Sequence, residues 1–197
     1  ICFYAKHKEE ILEAFDRCAS KGDFILREDV SKFEDNLAHY TGTKYGIGVG
    51  SGTDALFLSL KAIGIKEGDE VITVAHTFIA SIQAIVHCGA TPILVDVGQN
   101  ELMDVEQLEK AITPKTKAII PVHFHGKVCD MDRINKLAQK HHLYVIEDAC
   151  QALGSKYKGK MAGSLGELGC FSFNTPKLLG GYGDGGGIVT DNRELAE

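Results

Sequence analysis

The chain has 197 residues, 44% of them hydrophobic, and a formal net charge of −6, enough apolar content for one sizeable core in a single domain. The acidic balance and scattered Lys and Arg give no electrostatic reason to bind nucleic acid or an anionic membrane. No apolar run is long enough to span a bilayer, and charges from Lys6 to Glu10 stand where a signal peptide needs its apolar stretch, so the cytoplasm is the expected compartment.

In chain order, Ser31-x-x-Glu34 reads as a capping box and Gly42 as the end of the helix it opens. A strand follows at 45–49, then a helix over 52–63 that is apolar on most of its circumference and so expected to be buried, stopped by Gly64. Strands at 70–74 and 92–96 flank a helix ending at Gly89, and Asp104-x-x-Gln107 reads as a second capping box. Beyond a strand at 117–122, the segment 130–142 carries an apolar stripe at Met131, Ile134, Leu137 and Ala138. Strands at 143–147, 168–173 and 186–190 complete a set of about seven. Short β-branched runs alternating with helices predict an α/β fold, a largely parallel sheet with helices on its faces.

The six cysteines (Cys2, Cys18, Cys88, Cys129, Cys150, Cys170) form no C-x-x-C pair and read as reduced packing residues. His123-x-His125 lacks the further ligands of a metal site and reads as a strand-end pair at the rim of a site. His141-His142 reads as solvated.

Three segments carry chemistry. Ser51-Gly52-Thr53 follows a strand and opens a helix, so free N–H groups and the helix dipole favour a phosphate there, although many such turns use Gly and Ser merely to turn. A dinucleotide fingerprint fails, because Gly48-x-Gly50-x-x ends in Thr53. Asp148 follows an apolar strand at the carboxyl edge where open α/β sheets place ligands, poised for a cation, but taken alone it reads first as an ordinary helix cap; Gln151 is three residues on. Lys177 lies in a loop with Pro176 and glycines at 180, 181, 183, 185, 186 and 187. Most lysines are solvated, but one held in an apolar, glycine-rich pocket can attack a carbonyl to form a Schiff base.

The order Ser51-Gly52-Thr53-Asp54-Ala55-Leu56, Thr77-Phe78-Ile79-Ala80, Pro121-Val122-His123, Asp130-Met131-Asp132, Glu147-Asp148-Ala149-Cys150-Gln151, Phe171-Ser172-Phe173 and Lys177 to Gly186 resembles the DegT-type nucleotide-sugar aminotransferases, over nearly the whole chain. These are fold type I enzymes that use pyridoxal 5'-phosphate. The resemblance implies that Lys177 holds the cofactor as an internal aldimine and later carries protons, that Asp148 pairs with the pyridine nitrogen, and that Gln151 lies beside the ring oxygen. It further implies that Phe78 stacks on the ring, where plain core packing is the alternative, and that Gly52, Thr53 and Ser172 bind the phosphate. The substrates implied are an amino-acid donor such as glutamate and a nucleotide-linked keto sugar, and the assembly implied is a homodimer. A sugar dehydratase of this fold, with histidine in place of the lysine, and a non-catalytic regulatory relative are the alternatives.

The chain departs from the family's pattern in placing Pro176 next to the lysine, where members often have it one residue earlier, and in having Arg27-Glu28 where Gly-Pro is common. Relatives continue past the position of Glu197 into a small C-terminal domain, so residues 1–197 are expected to be a large domain without its lid.

Overall fold

The computed structural model describes residues 2–22 and 24–197, with the side chains of Cys2 and Phe3 left aside. It divides into two compact units, residues 1–33 and 34–197. The first holds α1 (Cys2–Lys21), kinked at His7, and the opening turn of α2 (Glu28–Thr41), where Arg17 and Cys18 donate to the Asp29 carboxylate.

The second unit is built on a seven-stranded sheet. Its strands are β1 (Tyr45–Val49), β2 (Glu70–Val74), β3 (Thr91–Val95), β4 (Thr116–Ile119), β5 (Tyr144–Asp148), β8 (Leu168–Ser172) and β9 (Gly186–Thr190), with a separate hairpin of β6 (Lys156–Tyr157) and β7 (Lys160–Met161) between β5 and β8. The order is β1-β9-β8-β5-β4-β2-β3. In this sheet β9 runs opposite to the other six strands. The reason is local: β8 reaches β9 through the loop 173–185 without a crossover helix, and a direct return can only be antiparallel.

Successive strand side chains point to opposite faces, and each face has its own core. Val71, Ala118, Ile120, Ile146, Leu168 and Ile188 pack beneath α3 (Gly52–Ala62) and α4 (Ala80–His87). Ile72, Ile119 and Val145 pack beneath α5 (Val105–Ala111) and α6 (Met131–His141). On β5 this alternation sends Asp148 to the side of α3 and α4 and Glu147 to the other.

All seven predicted strands are present, and their ends differ where the chain gives a reason. The strand predicted over 117–122 ends at Ile119, because Pro121 has no N–H for the ladder; one further bridge joins Val122 to Asp148. Gly42, Gly64 and Gly89 follow their helices with positive φ, as expected. Asp104 caps α5 through the Glu106 N–H, but Gln107 reaches the Asp104 side chain and the Asp96 N–H rather than completing a reciprocal box. The Ser31-x-x-Glu34 pair does not cap: α2 begins at Glu28, its acidic first turn of Glu28 and Asp29 suits the helix dipole, and Glu34 instead accepts the Gly48 N–H at 2.8 Å. The helix predicted over 52–63 buries Ala55, Leu56, Ser59 and Leu60 while Leu58 faces solvent, so it is amphipathic rather than enclosed. The β6/β7 hairpin was not predicted. Its turn, Lys158 and Gly159, takes two positive φ angles, the requirement of a type I′ connection.

Candidate active site

The carboxyl ends of β1, β8 and β5 lie on one edge of the sheet, and β9 begins on that same edge because it runs the opposite way. Everything that connects there therefore converges: the turn into α3, the 148–151 segment and the loop 173–185. Together they line a cavity of about 460 Å³ that touches Gly52, Thr53, Phe78, Asp148, Gln151, Ser172 and Lys177. All seven residues singled out in the sequence meet in this one space, although they are spread over 126 positions from 52 to 177. An adjoining cavity of about 350 Å³ shares Gln151, Ser172 and Lys177. A larger groove of about 830 Å³ lies between α5 and α6, lined by interspersed lysines, Arg133 and glutamates on the opposite face; it contains none of these groups.

The turn into α3 presents donors that an anion could use. Ser51 is the helix N-cap: its Oγ accepts the Asp54 N–H and donates to the Asp54 carboxylate at 2.9 Å. The first bond of the helical ladder is Ala55 N–H to Ser51 C=O, so the N–H groups of Gly52 and Thr53 precede it and point outward at the positive end of the dipole. Gly52 must be glycine. A Cβ there would stand 2.7 Å from Ser172 Cβ and 2.8 Å from Cys150 Sγ, so the turn, β8 and the 148–151 segment close on one another only without a side chain. Gly186 is held likewise against the Ser51 carbonyl.

Asp148 is 6% exposed. Its Oδ2 accepts the Ser81 hydroxyl at 2.7 Å and its Oδ1 the Cys150 N–H at 3.2 Å. Two oxygens offer about four acceptor sites, so half of this carboxylate's capacity remains, and the group lines the cavity. The Cys150 contact shows that Asp148 does stabilise its own turn, as a cap would, but that bond engages one oxygen only. Gln151 is oriented as well: its Oε1 accepts the His125 N–H at 3.1 Å, which leaves its amide N–H groups as donors for an oxygen in the cavity.

Phe78 is 67% exposed, so it is not a core residue; it is an aromatic face at the mouth of the cavity. Lys177 is half-buried in a loop held by its own backbone: Phe173 N–H to Gly185 C=O, Gly181 N–H to Phe173 C=O and Lys177 N–H to Asn174 C=O, each at 2.8 Å, with Asn174 Nδ2 donating to Asp184 at 2.6 Å. By contrast, Lys156, Lys158 and Lys160 sit on the β6/β7 hairpin and line neither cavity.

Several roles at the site were not legible. Ser81 and Thr77 connect behind Asp148, and Glu147 anchors the strand from the other face. Glu147 is fully buried, and its carboxylate accepts from His123 Nε2 at 2.8 Å and from the N–H groups of Gly163, Leu165 and Gly166 at 2.6–2.8 Å. His123 Nδ1 accepts the Cys129 N–H at 3.3 Å, which sets its proton on Nε2. His123 is thus enclosed and not at the rim of the site, while His125, exposed in the 3₁₀ turn Phe124–Gly126, does line the adjoining cavity. His141 is also not solvated, since its Nε2 is buried without a hydrogen-bond partner; His142 is the exposed left-handed cap of α6. Among the cysteines, Cys88, Cys129 and Cys170 are buried packing residues, but Cys150 lines the cavity. Burial, reinforced by the Asp148 charge, pushes the Cys150 thiol well up, so it stays protonated and is no nucleophile.

The chain that carries this site matches a known family over almost its whole length: the DegT/DnrJ/EryC1/StrS aminotransferase family aligns with residues 5–197. The chain belongs to that family. It is similar to a pleiotropic regulatory protein of Geobacillus stearothermophilus, 47% identical over 195 residues, covering 98% of the chain and 52% of that protein. It is equally similar to the UDP-N-acetyl-3-dehydro-alpha-D-glucosamine 3-aminotransferase of Acidithiobacillus ferrooxidans, 47% identical over 193 residues, with 98% and 52% covered. Among solved structures, NtdA of Bacillus subtilis with bound cofactor PMP superposes with a TM-score of 0.91 at 41% identity, covering 97% of the chain and 43% of that structure. The chain spans about half the length of the curated relatives it matches. The fold is the α/β architecture of fold type I aminotransferases within the DegT/DnrJ/EryC1/StrS family.

Proposed function

We propose that this chain is the cofactor-binding large domain of an aminotransferase that uses pyridoxal 5'-phosphate to move an amino group from an amino-acid donor, glutamate foremost, to a nucleotide-linked keto sugar. The observation that carries the reading is the convergence of Lys177, Asp148 and Gln151 on one cavity whose floor is a helix N-terminus. The cofactor fits that donor set. A cradle that excludes even a Cβ at Gly52, with outward N–H groups at Gly52 and Thr53, suits its phosphate. A carboxylate with spare acceptor capacity suits its ring nitrogen, and an amide presenting N–H suits its ring oxygen. When bound, pyridoxal phosphate supplies an aldehyde and an electron-withdrawing ring.

The chain's own residues divide the remaining work. Lys177 would supply the amine that holds the cofactor and would be the base that takes a proton from the substrate carbon and returns one in the reverse half-reaction. Asp148 holds a proton at the ring nitrogen, which keeps the ring electron-poor. Gln151, Thr53, Ser172 and Phe78 line the same cavity; Gln151 would donate to the ring oxygen, Thr53 and Ser172 would add hydroxyls at the phosphate, and Phe78 would cover a ring face. A lysine in this position argues against a sugar dehydratase of the same fold.

The reading extends to the whole protein. A small lid domain would follow Glu197, and the protein would act as a cytoplasmic homodimer. The exposed apolar side chains of Leu178 and Leu179, beside Lys177, support a second copy covering this edge; sedimentation of the full-length protein as a pure monomer would remove that element. The name of the Geobacillus relative favours a second reading, a regulatory protein that keeps the fold. Adding pyridoxal phosphate to the purified protein decides between them: a visible absorbance band and amino transfer to UDP- or dTDP-linked keto sugars are expected, and a protein without the band is not an aminotransferase.

A further inference from the structure

The Asp148 carboxylate does not stand alone behind the cavity. Ser81, on the first turn of α4, is wholly buried, and its Oγ lies 2.7 Å from Asp148 Oδ2 and 2.8 Å from Thr77 Oγ1. Thr77 is half-buried and lines the cavity. A hydroxyl has one proton to give. An ionised carboxylate only accepts, so the Ser81 proton goes to Asp148, and the Thr77 hydroxyl must then donate to Ser81. The three oxygens are therefore directed one way, from Thr77 through Ser81 to Asp148. We propose that Thr77 and Ser81 are positioning residues for the cofactor's ring nitrogen: their directed hydrogen-bond chain fixes the plane of the Asp148 carboxylate and stabilises its charge opposite the pyridinium.

The geometry gives the chain two consequences. First, hydrogen bonds in series polarise one another, so the bond to Asp148 is stronger with Thr77 present than without it. A carboxylate relieved of part of its charge by this donor draws the shared proton less strongly, which favours the proton on the ring. Second, a protonated Asp148 would offer Ser81 only a neutral acceptor, so the bond from Ser81 is stronger with the shared proton on the ring than on Asp148. The turn that carries the chain also carries Phe78, whose carbonyl accepts the Ser81 N–H. Ring face and ring nitrogen are thereby held by one five-residue segment, 77–81.

The inference rests on pyridoxal phosphate occupying the cavity, and its test separates the two claims. The full-length protein is loaded with cofactor labelled with ¹⁵N in the ring, and the ring-nitrogen shift and the cofactor Kd are measured for the parent, Ser81→Ala, Thr77→Val and Thr77→Ser. In Ser81→Ala the ring nitrogen is expected to move toward its unprotonated shift and Kd to rise roughly tenfold, the size of one hydrogen bond to a charged group. Thr77→Val, which keeps the shape and loses the hydroxyl, should move both in the same direction by less, and Thr77→Ser should restore both. Thr77 is at the cavity wall, so Thr77→Val decides the matter alone if Ser81→Ala does not fold. A parent that develops no visible band with the cofactor refutes the cofactor reading and this inference together. A parent with the band, and variants with the parent's ring-nitrogen shift and Kd, refutes the chain while leaving the cofactor in place.

Discussion

Glu147 and Asp148 are consecutive residues of one strand, both carboxylates and both buried, yet their surroundings have nothing in common. Strand alternation turns Glu147 toward the α5/α6 face, where His123 and three backbone N–H groups of the 163–166 loop occupy both its oxygens. Asp148 turns toward the α3/α4 face, where one hydroxyl and one N–H occupy half its capacity and the rest faces a cavity. The fully bonded carboxylate fastens a loop to the sheet. The partly bonded one is free to meet a ligand, so it is this incompleteness, and not burial, that sets the candidate ligand-binding acid apart from the structural one.

The comparison breaks most sharply at Glu147. In Glu147→Gln an amide NH₂ must face backbone N–H donors, and a buried hydrogen-bonded pair loses its charge. Each backbone donor left unsatisfied costs about 1–3 kcal/mol, so denaturant unfolding should show a loss of about 2–5 kcal/mol, a large part of the stability of an ordinary domain. Stability equal to the parent's would mean that Glu147 is not the anchor described. Asp148→Asn should do the reverse. The amide keeps the shape and costs about 1 kcal/mol in folding, whereas loss of the charge at the ring nitrogen should slow turnover of the full-length protein by about a hundredfold or more. Parent-like turnover would reduce Asp148 to a turn-stabilising residue.

A smaller effect sharpens the same distinction at the mouth of the cavity. Phe78 packs against no core, so Phe78→Ala should leave stability within about 0.5 kcal/mol. Losing an aromatic face should weaken cofactor binding by about 1 kcal/mol, roughly fivefold in Kd by titration. A destabilised Phe78→Ala with unchanged Kd would return Phe78 to a packing role.

What the sequence made legible follows from how local each signal is. The strands at 45–49, 70–74 and 186–190 coincide with observed ones because each is a short apolar run bounded by its own turn residues. The cavity residues were legible through the order of their segments along the chain, and topology then supplied the convergence. Ser81 and Glu147 were not legible as site residues because their roles depend on partners 67 and 24 positions away, Asp148 and His123, and no local pattern marks such a pair. Ser31 misled for the opposite reason: its spacing to Glu34 fits a capping box, but the acidic residues at 28 and 29 start the helix earlier.

The central claim of the proposed function is that Lys177, which lines both adjoining cavities, is the lysine that holds the cofactor. Borohydride reduction of the protein loaded with pyridoxal phosphate, followed by peptide mapping, tests it directly. The reduced cofactor is expected on the peptide containing Lys177, and Lys177→Ala should abolish the label while keeping the secondary structure of the parent. Label on Lys156, Lys158 or Lys160, or label that survives in Lys177→Ala, would contradict the site described.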